Sequence, residues 1–565
     1  MKRKQYVWIS LLVMVLGALA LGLIPATATL AAESPTHHAI SAVAPAAPTG
    51  KEFGVNSNVD APDFAPGDEK CETAQGNGIC TLRAAIMETN ALAGEDYIHL
   101  FCGTSVLLTR VGEDDTALNG DLDITDDVRL WGINADCVNI DGNGSITNDR
   151  VFHILSGTVT ILKVTIQNGY ALQKGGGILN HGTLTLNQST VLQNKGFAGG
   201  GIFNDGTAVL TYSTVRENNS GVGGGVVNFG TLLVSHSTLS GNTAQTNDPN
   251  GRGGGLLNHI GISVLTNTTV SGNYANADAG GIYVQSGTVN LRNVTIAFNS
   301  ANADLTGAAN GGGVLVNTGA IFNVRNSILA ENIISGPIFD TYNDCAGTVS
   351  SEDYNLFRVT TACSVQGFTV NNKTGVSQLD ALADNGGETF THALKSSSPA
   401  IDAGNPSGCV DDVGATLTMD QRRFVRPWNG QCDIGAYEYN SPGVPTVTPF
   451  PTPTHTPSPT STPTATPAAC NAKPTAPTLS QPANNTEITT KKPTLDWNDA
   501  PCAEKYKVVV KQDAKDGAKV FKKKVTVSQT QTTALAKGHT YYWRVKAINS
   551  FGSTKSAWFM FSINP

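Results

Sequence analysis

Three carboxylates, Asp248, Asp278 and Asp304, each follow a recurring Asn by five or six residues on three successive repeats. If the repeats stack, such a trio can hold Ca²⁺ against a uronate carboxylate, with Arg252 or His259 taking the proton beside it. That chemistry is β-elimination from an acidic polysaccharide. The competing reading is that long turns simply collect polar residues. A second acidic stretch, GEDDTALNGDLDITDD, runs from Gly112 to Asp127. It offers oxygen donors for the same hard cation at Asp114, Asp115, Asp121, Asp123, Asp126 and Asp127. Its spacing is not DxDxDG, so a structural use in turns is expected. His181 and Asp205 sit at equivalent places on adjacent repeats and can pair, but Phe229 replaces the polar residue on the third. No HExxH zinc motif, no GxxxxGK[ST] loop and no Ser/His/Asp order is present. A non-catalytic protein is expected, with a Ca²⁺-dependent lyase as the alternative and no other cofactor.

The elements that must position these residues are repeats. Six segments begin in a glycine block and end near an Asn, from GGGILNHGTLTLNQSTVLQN at Gly175 to GGGVLVNTGAIFNVRNSILAEN at Gly311. Within each, apolar residues alternate, as in Leu184/Leu186 and Leu232/Val234. Period two in short runs predicts strands, three per repeat. Such a repeat is one coil of an all-β parallel solenoid, a right-handed β-helix, because a single coil cannot bury its own inward face. Stacking then puts Ile178 under Ile202 under Val226. The recurring Asn form two sets, Asn194 to Asn332 and Asn180 to Asn258, expected as hydrogen-bonded ladders rather than sugar ligands. The glycine blocks are expected to mark tight corners.

Lys2, Arg3 and Lys4 precede an apolar run and then small residues to Ala32, so 1–32 reads as a secretory signal. No later segment is apolar and long enough to suggest a transmembrane span after signal cleavage. Ten cysteines in an exported chain point to disulfides. Neighbour pairing is expected: Cys71/Cys80, Cys102/Cys137, Cys345/Cys363, Cys409/Cys432 and Cys470/Cys502. Connectivity itself cannot be read from spacing.

Two segments flank the repeats. Cys80-Thr81-Leu82-Arg83 lies in CETAQGNGICTLRAAIMETNAL, where Thr81 can cap a helix with Leu82, Ala85, Ile86 and Thr89 on one face. This segment resembles the CSLREA motif of secreted bacterial surface proteins, with Ala84 in place of the usual Glu. SPAIDAGN (Ser398–Asn405) and DQRRFVRPWNGQCDIGAYEY (Asp420–Tyr439) resemble the terminal motif of choice-of-anchor Q proteins. Asp402, Asp420, Arg422, Arg426, Asp433 and Glu438 match, while Arg423 stands where that family usually has Gly. The resemblance covers 53–440. It implies an exported right-handed β-helix, related to polymorphic outer-membrane repeat proteins and polysaccharide lyases, and no settled activity.

Residues 441–473 are a Pro/Thr-rich linker, expected to be extended. Residues 474–565 resemble a fibronectin type III β-sandwich, carried by PTLDWNDA and HTYYWRVKAINSFG. Lys519, Lys522, Lys523 and Lys524 form a basic cluster there. The chain has 565 residues, 60 of them Gly, and only 15% charged, which excludes charge-rich disorder and a long coiled coil. Residues 470–565 carry a net +9 and the remainder −17, which argues against nucleic acid as partner of the body. The expected partner is a polysaccharide or a cell-surface or cell-wall ligand bound by exposed turns, on a secreted or surface-held protein. A purely structural spacer is the third reading.

Overall fold

The structure is a computed structural model that describes residues 50–245, 251–305, 309–443 and, with short gaps, 473–564. The expected signal segment, nearly all of the linker, Cys470 and Cys502 lie outside the described residues. The chain divides into two units, Met1–Pro457 and Ser458–Pro565.

In the first unit, alternation dictates the stacking. Each coil carries strands equivalent to Ile178–Asn180, Thr183–Asn187 and Thr190–Leu192. Each pairs in parallel with its counterpart on the next coil, so Ile178 sits beside Ile202 and Ile202 beside Val226. Leu184 and Leu186 point inward and are fully buried, as is Val191, and one continuous apolar core runs from Phe53 to Phe357. A fourth, shorter ladder was not foreseen: Lys195–Ala198 pairs with Asn219–Val222, and that strand with Thr243–Ala244. Its strands have few apolar residues and follow the Asn turn, so alternation gave no sign of them.

The glycine blocks are needed for two different reasons. Gly175 and Gly199 have φ of 64° and 66°, a left-handed backbone that side chains disfavour. Gly177 has no room instead, since a Cβ there would lie 2.6 Å from the carbonyl oxygen of Gly201 on the next coil. Both Asn sets form ladders. Nδ2 of Asn194 donates to Oδ1 of Asn218 at 3.0 Å, and the relay continues through Asn242, Asn273 and Asn299 to Asn332. It ends on Asp344 Oδ1 at 3.0 Å. Asn180, Asn204, Asn228 and Asn258 form the second ladder, at 2.7, 2.8 and 3.0 Å.

The first end of the stack is capped and the outer side of its later coils is covered. Thr81 caps helix α1 (Leu82–Ala91), accepting from the Ala84 N–H at 3.0 Å. Its buried Leu82, Ala85 and Ile86 join the solenoid core. Covering the stack's first coils in this way hides strand edges that would otherwise template aggregation. After the last coil, residues 377–443 fold back over the outer side of the Thr190–Leu192 ladder's later coils. Gln421 exchanges hydrogen bonds with Thr269 at 2.7 Å and Thr238 at 3.0 Å. Ile434, Leu379 and Leu394 pack on Ile328 and Leu356. Four disulfides follow the neighbour pairing: Cys71–Cys80, Cys102–Cys137, Cys345–Cys363 and Cys409–Cys432.

The second unit holds a three-stranded antiparallel sheet and a larger, mostly antiparallel sheet around Trp497, Tyr506, Tyr541, Trp543 and Phe561. Tyr541, Trp543 and Val545 face inward, as the alternation of HTYYWRVKAIN predicts.

Candidate functional site

In a strand such as Ile178–Asn180 the first and third residues point into the core, so the middle one points out. Along the stack these outward residues are Leu179, Phe203, Val227, Leu257, Tyr283 and Leu315. This outward row is apolar and, apart from the half-buried Leu315, it is buried as a second, smaller core. It packs against Ala198 and Val222 of the fourth ladder and against Phe229. A groove of ≈ 630 Å³ opens over it, walled by Phe197, Phe203, Phe229, Tyr283, Arg252 and His259 among others.

Stacking of coils sets the ring spacing. The Phe203 and Phe229 centroids are 5.2 Å apart, and those of Phe229 and His259 are 4.2 Å apart. Lys174 Nζ lies 4.5 Å from the Phe203 centroid, and the Arg252 guanidinium 5.7 Å from that of Tyr283. Arg252 is held in place: its Nε donates to Asp278 Oδ2 at 2.9 Å, while Asp278 Oδ1 accepts from the Asn310 N–H at 2.9 Å. His259 Nδ1 lies 2.8 Å from Gln285 Oε1. The result is a groove whose accessible rings, Phe197, Phe229 and His259, are edged by the anchored Arg252 and the exposed Lys174. Such a platform suits a ligand with flat apolar faces and polar or anionic rims.

The lyase residues are distributed differently from the expectation. Arg252 and His259 do lie together, in the groove wall. Asp278 is buried and committed to Arg252 and Asn310, so its carboxylate does not stand open to a metal. Asp304 is exposed, and Asp248 lies outside the described residues. Among the described residues, Asp278 and Asp304 belong to no group of three metal-ligating side chains. His181 Nδ1 and Asp205 Oδ1 pair at 2.5 Å, as their spacing suggested.

The Ca²⁺ donors divide as well. Asp114 is spent on its own loop, accepting from the N–H groups of Thr116 at 2.9 Å and Asn119 at 2.9 Å. These and the Thr116 hydroxyl hold its carboxyl below the usual range, against the effect of burial. Asp121 is buried against Arg150 at 3.0 Å. Burial, reinforced by Asp149 and Asp123, nevertheless raises its pKa well above the usual range. Only Asp115 and Asp123 converge, and they do so on a residue absent from the sequence reading, His153. Asp123 and His153 are register partners on consecutive coils, so the signal was a titratable pair at one coil position.

The terminal motif builds a clasp. Arg422 pairs with Asp420 at 2.6 Å and Arg426 with Glu438 at 2.9 Å, all four buried. Arg426 also donates to Asn267 Oδ1 at 2.9 Å, tying the clasp to the solenoid. Asp433 accepts from the N–H of Asp402 at 2.7 Å, and burial, with Glu438 beside it, pushes its pKa up to about 7.

No family model matches the chain, and no curated protein matches it. Among solved structures, the chain is similar to "Structure of FN3tt mut" at 19% identity, covering 16% of this chain and 93% of that one, with a TM-score of 0.12. It is also similar to "Crystal Structure of FN3tt" at 15% identity, covering 16% of this chain and 97% of that one, with a TM-score of 0.13.

Among the described residues no helix is long and apolar enough to cross a membrane. Four disulfides fit an oxidising, extracellular compartment.

Proposed function

We propose that this chain is an exported surface protein that binds a polysaccharide or a related surface ligand in the groove of its solenoid. In this reading the solenoid is a right-handed β-helix of the CSLREA and choice-of-anchor Q kind, and the tail is a fibronectin type III-like module. The observation that carries the proposal is the groove over the outward row, whose accessible wall joins the exposed Phe197 and the half-buried Phe229 and His259 to Lys174 and Arg252. Slightly positive C–H groups on a sugar ring's face meet the electron-rich faces of Phe197 and Phe229. Lys174 and Arg252 then meet hydroxyl or carboxylate oxygens at the rim. In this reading the accessible wall includes turn residues, Phe229 and His259, that follow the strands of the buried row.

Affinity electrophoresis of the full chain against neutral and acidic polysaccharides tests this. Phe197 is exposed and Phe229 half-buried, so Phe197→Ala and Phe229→Ala spare the buried core. Each is expected to weaken retention about tenfold, equal to about 1.4 kcal/mol. Retention that survives both substitutions would move the ligand elsewhere. The same panel scored for unsaturated product tests the lyase alternative. Product that needs Ca²⁺ and vanishes in Asp278→Ala would put catalysis ahead of binding.

A further inference from the structure

The outward row that forms the groove floor begins two coils earlier with polar residues. Asp123 and His153 precede Leu179 in register. His153 Nδ1 lies 3.2 Å from Asp123 Oδ1 and 3.7 Å from Asp115 Oδ1. One ligand atom from each of the three residues falls within 4.8 Å of the other two. Ions bound at 2.0–2.2 Å in a tetrahedral shell separate neighbouring donors by about 3.3–3.5 Å. The two measured separations bracket that distance.

One buried atom indicates what is wanted there. Asp123 is wholly buried and its Oδ2 accepts from the Ala117 N–H at 2.9 Å. Its Oδ1, aimed at the cluster, accepts no hydrogen bond. A buried carboxylate oxygen without a donor costs free energy unless a cation meets it. Nδ1 is the ring nitrogen that faces the carboxylates. The nearby cation Arg150 is engaged elsewhere, with Asp121 Oδ2 at 3.0 Å and Glu113 Oε1 at 4.0 Å.

The loop is also prebuilt. Arg83 of α1 is fully buried on Asp60 at 2.5 Å. Its guanidinium donates to the carbonyls of Ala117 at 2.8 Å, Gly120 at 2.7 Å and Asp121 at 2.9 Å. Asp114 ties down the turn next to Asp115. Two ligand-bearing segments are thus fixed before any ion arrives, and the exposed Asp115 completes the set at the open side.

We propose that Asp115, Asp123 and His153 form a binding site for a divalent transition ion of the Zn²⁺ class, with its remaining positions open to solvent or a ligand. The nitrogen donor decides against Ca²⁺ and Mg²⁺, which take oxygen ligands, and suits Zn²⁺ or Co²⁺. The site stands independently of the groove: it would survive failure of the saccharide reading, and the reverse also holds.

The full chain, stripped with chelator, is titrated with Co²⁺ by visible absorption and with Zn²⁺ by calorimetry. One ion per chain is expected, with the absorption of a four- or five-coordinate centre. His153→Gln and Asp115→Asn are each expected to weaken it at least about tenfold. Asp115 is exposed, so Asp115→Asn isolates the ligand effect from folding, which thermal unfolding confirms. His181→Gln is expected to leave the titration unchanged. Absence of binding would overturn the site, as would uptake equal in all variants, which would place the ion on other histidines such as His37 and His38. Preferential uptake of Ca²⁺, insensitive to His153→Gln, would also overturn it.

Discussion

His392 shows how one side chain couples the clasp to the solenoid. Its Nδ1–H donates to the Asp380 carbonyl at 2.7 Å, and Nε2 accepts from Ser271 Oγ at 2.8 Å. Burial disfavours the charged ring and pushes its pKa down to about 4. The unfolded chain takes up this proton near pH 6.5 and the folded chain refuses it until about 4. The unfolded state therefore binds more protons in this window, and acidification destabilises the fold by about 1.4 kcal/mol per pH unit at this site. His236, also pushed down to about 4 by burial, adds in the same sense. Asp344, raised to about 6, acts oppositely. Subtracting variant from parent isolates one group: the loss of melting temperature between pH 7 and pH 5 is expected to be smaller in His392→Gln. An unchanged difference would show that the ring is not held neutral. A second residue carries backbone strain. Arg423 has φ 68°, a left-handed conformation, and lies over the Tyr212 ring at 4.4 Å. Both Arg423→Gly and Arg423→Ala lose that ring contact. Gly alone relieves the strain, so it should be the more stable of the two by about 1 kcal/mol in denaturant unfolding.

At the scale of elements, the Asn ladder is the best test of how the coils hold together. Asn242 is fully buried. Its Nδ2 donates to Asn273 Oδ1 at 3.0 Å and Val215 O at 2.9 Å, and its Oδ1 accepts from the N–H of Asn218 at 3.1 Å and Asn218 Nδ2 at 2.9 Å. Asn242→Ala orphans several buried groups at about 1–3 kcal/mol each, so a total loss of at least about 3 kcal/mol is expected from the shift of the guanidinium midpoint. This ladder was legible because one residue type recurs at one place in every coil. The Ile178 row and the α1 face were legible for the same reason, since each rests on local periodicity. The clasp's docking was not legible, because Gln421 reaches Thr269 across 152 residues and nothing periodic links them. The groove row was within reach but hidden. Leu179, Phe203 and Val227 read as ordinary core until the inward partners on either side of them are assigned. His153 was missed because it lies before the repeats become regular, where no alignment of coils singles it out.

Considered whole, the chain separates its charge, with an acidic first unit and a basic tail. Within the tail the basic residues are brought together by register. Lys555 lies opposite Lys546, Lys546 opposite Lys507, and Lys507 opposite Lys524, so four lysines cross four neighbouring strands. Lys522 and Arg544 flank Val509 in the next row out. Like charges directly opposite one another oppose sheet formation. Repulsion from Lys522, then desolvation, then repulsion from Lys546, Lys519 and Lys524 lower the Lys507 pKa below its usual value. The tail should therefore melt at higher temperature as salt is added, because screening weakens these exposed repulsions. Lys507→Gln removes the central charge of the row. It should raise the melting temperature of the tail at low salt by a few degrees, and the gain should shrink as salt rises. Calorimetric scans of the full chain at low and high salt measure both effects. A Lys507→Gln gain that does not depend on salt would mean that packing, not charge, limits this sheet, and the lysine row would then carry no electrostatic cost to the fold.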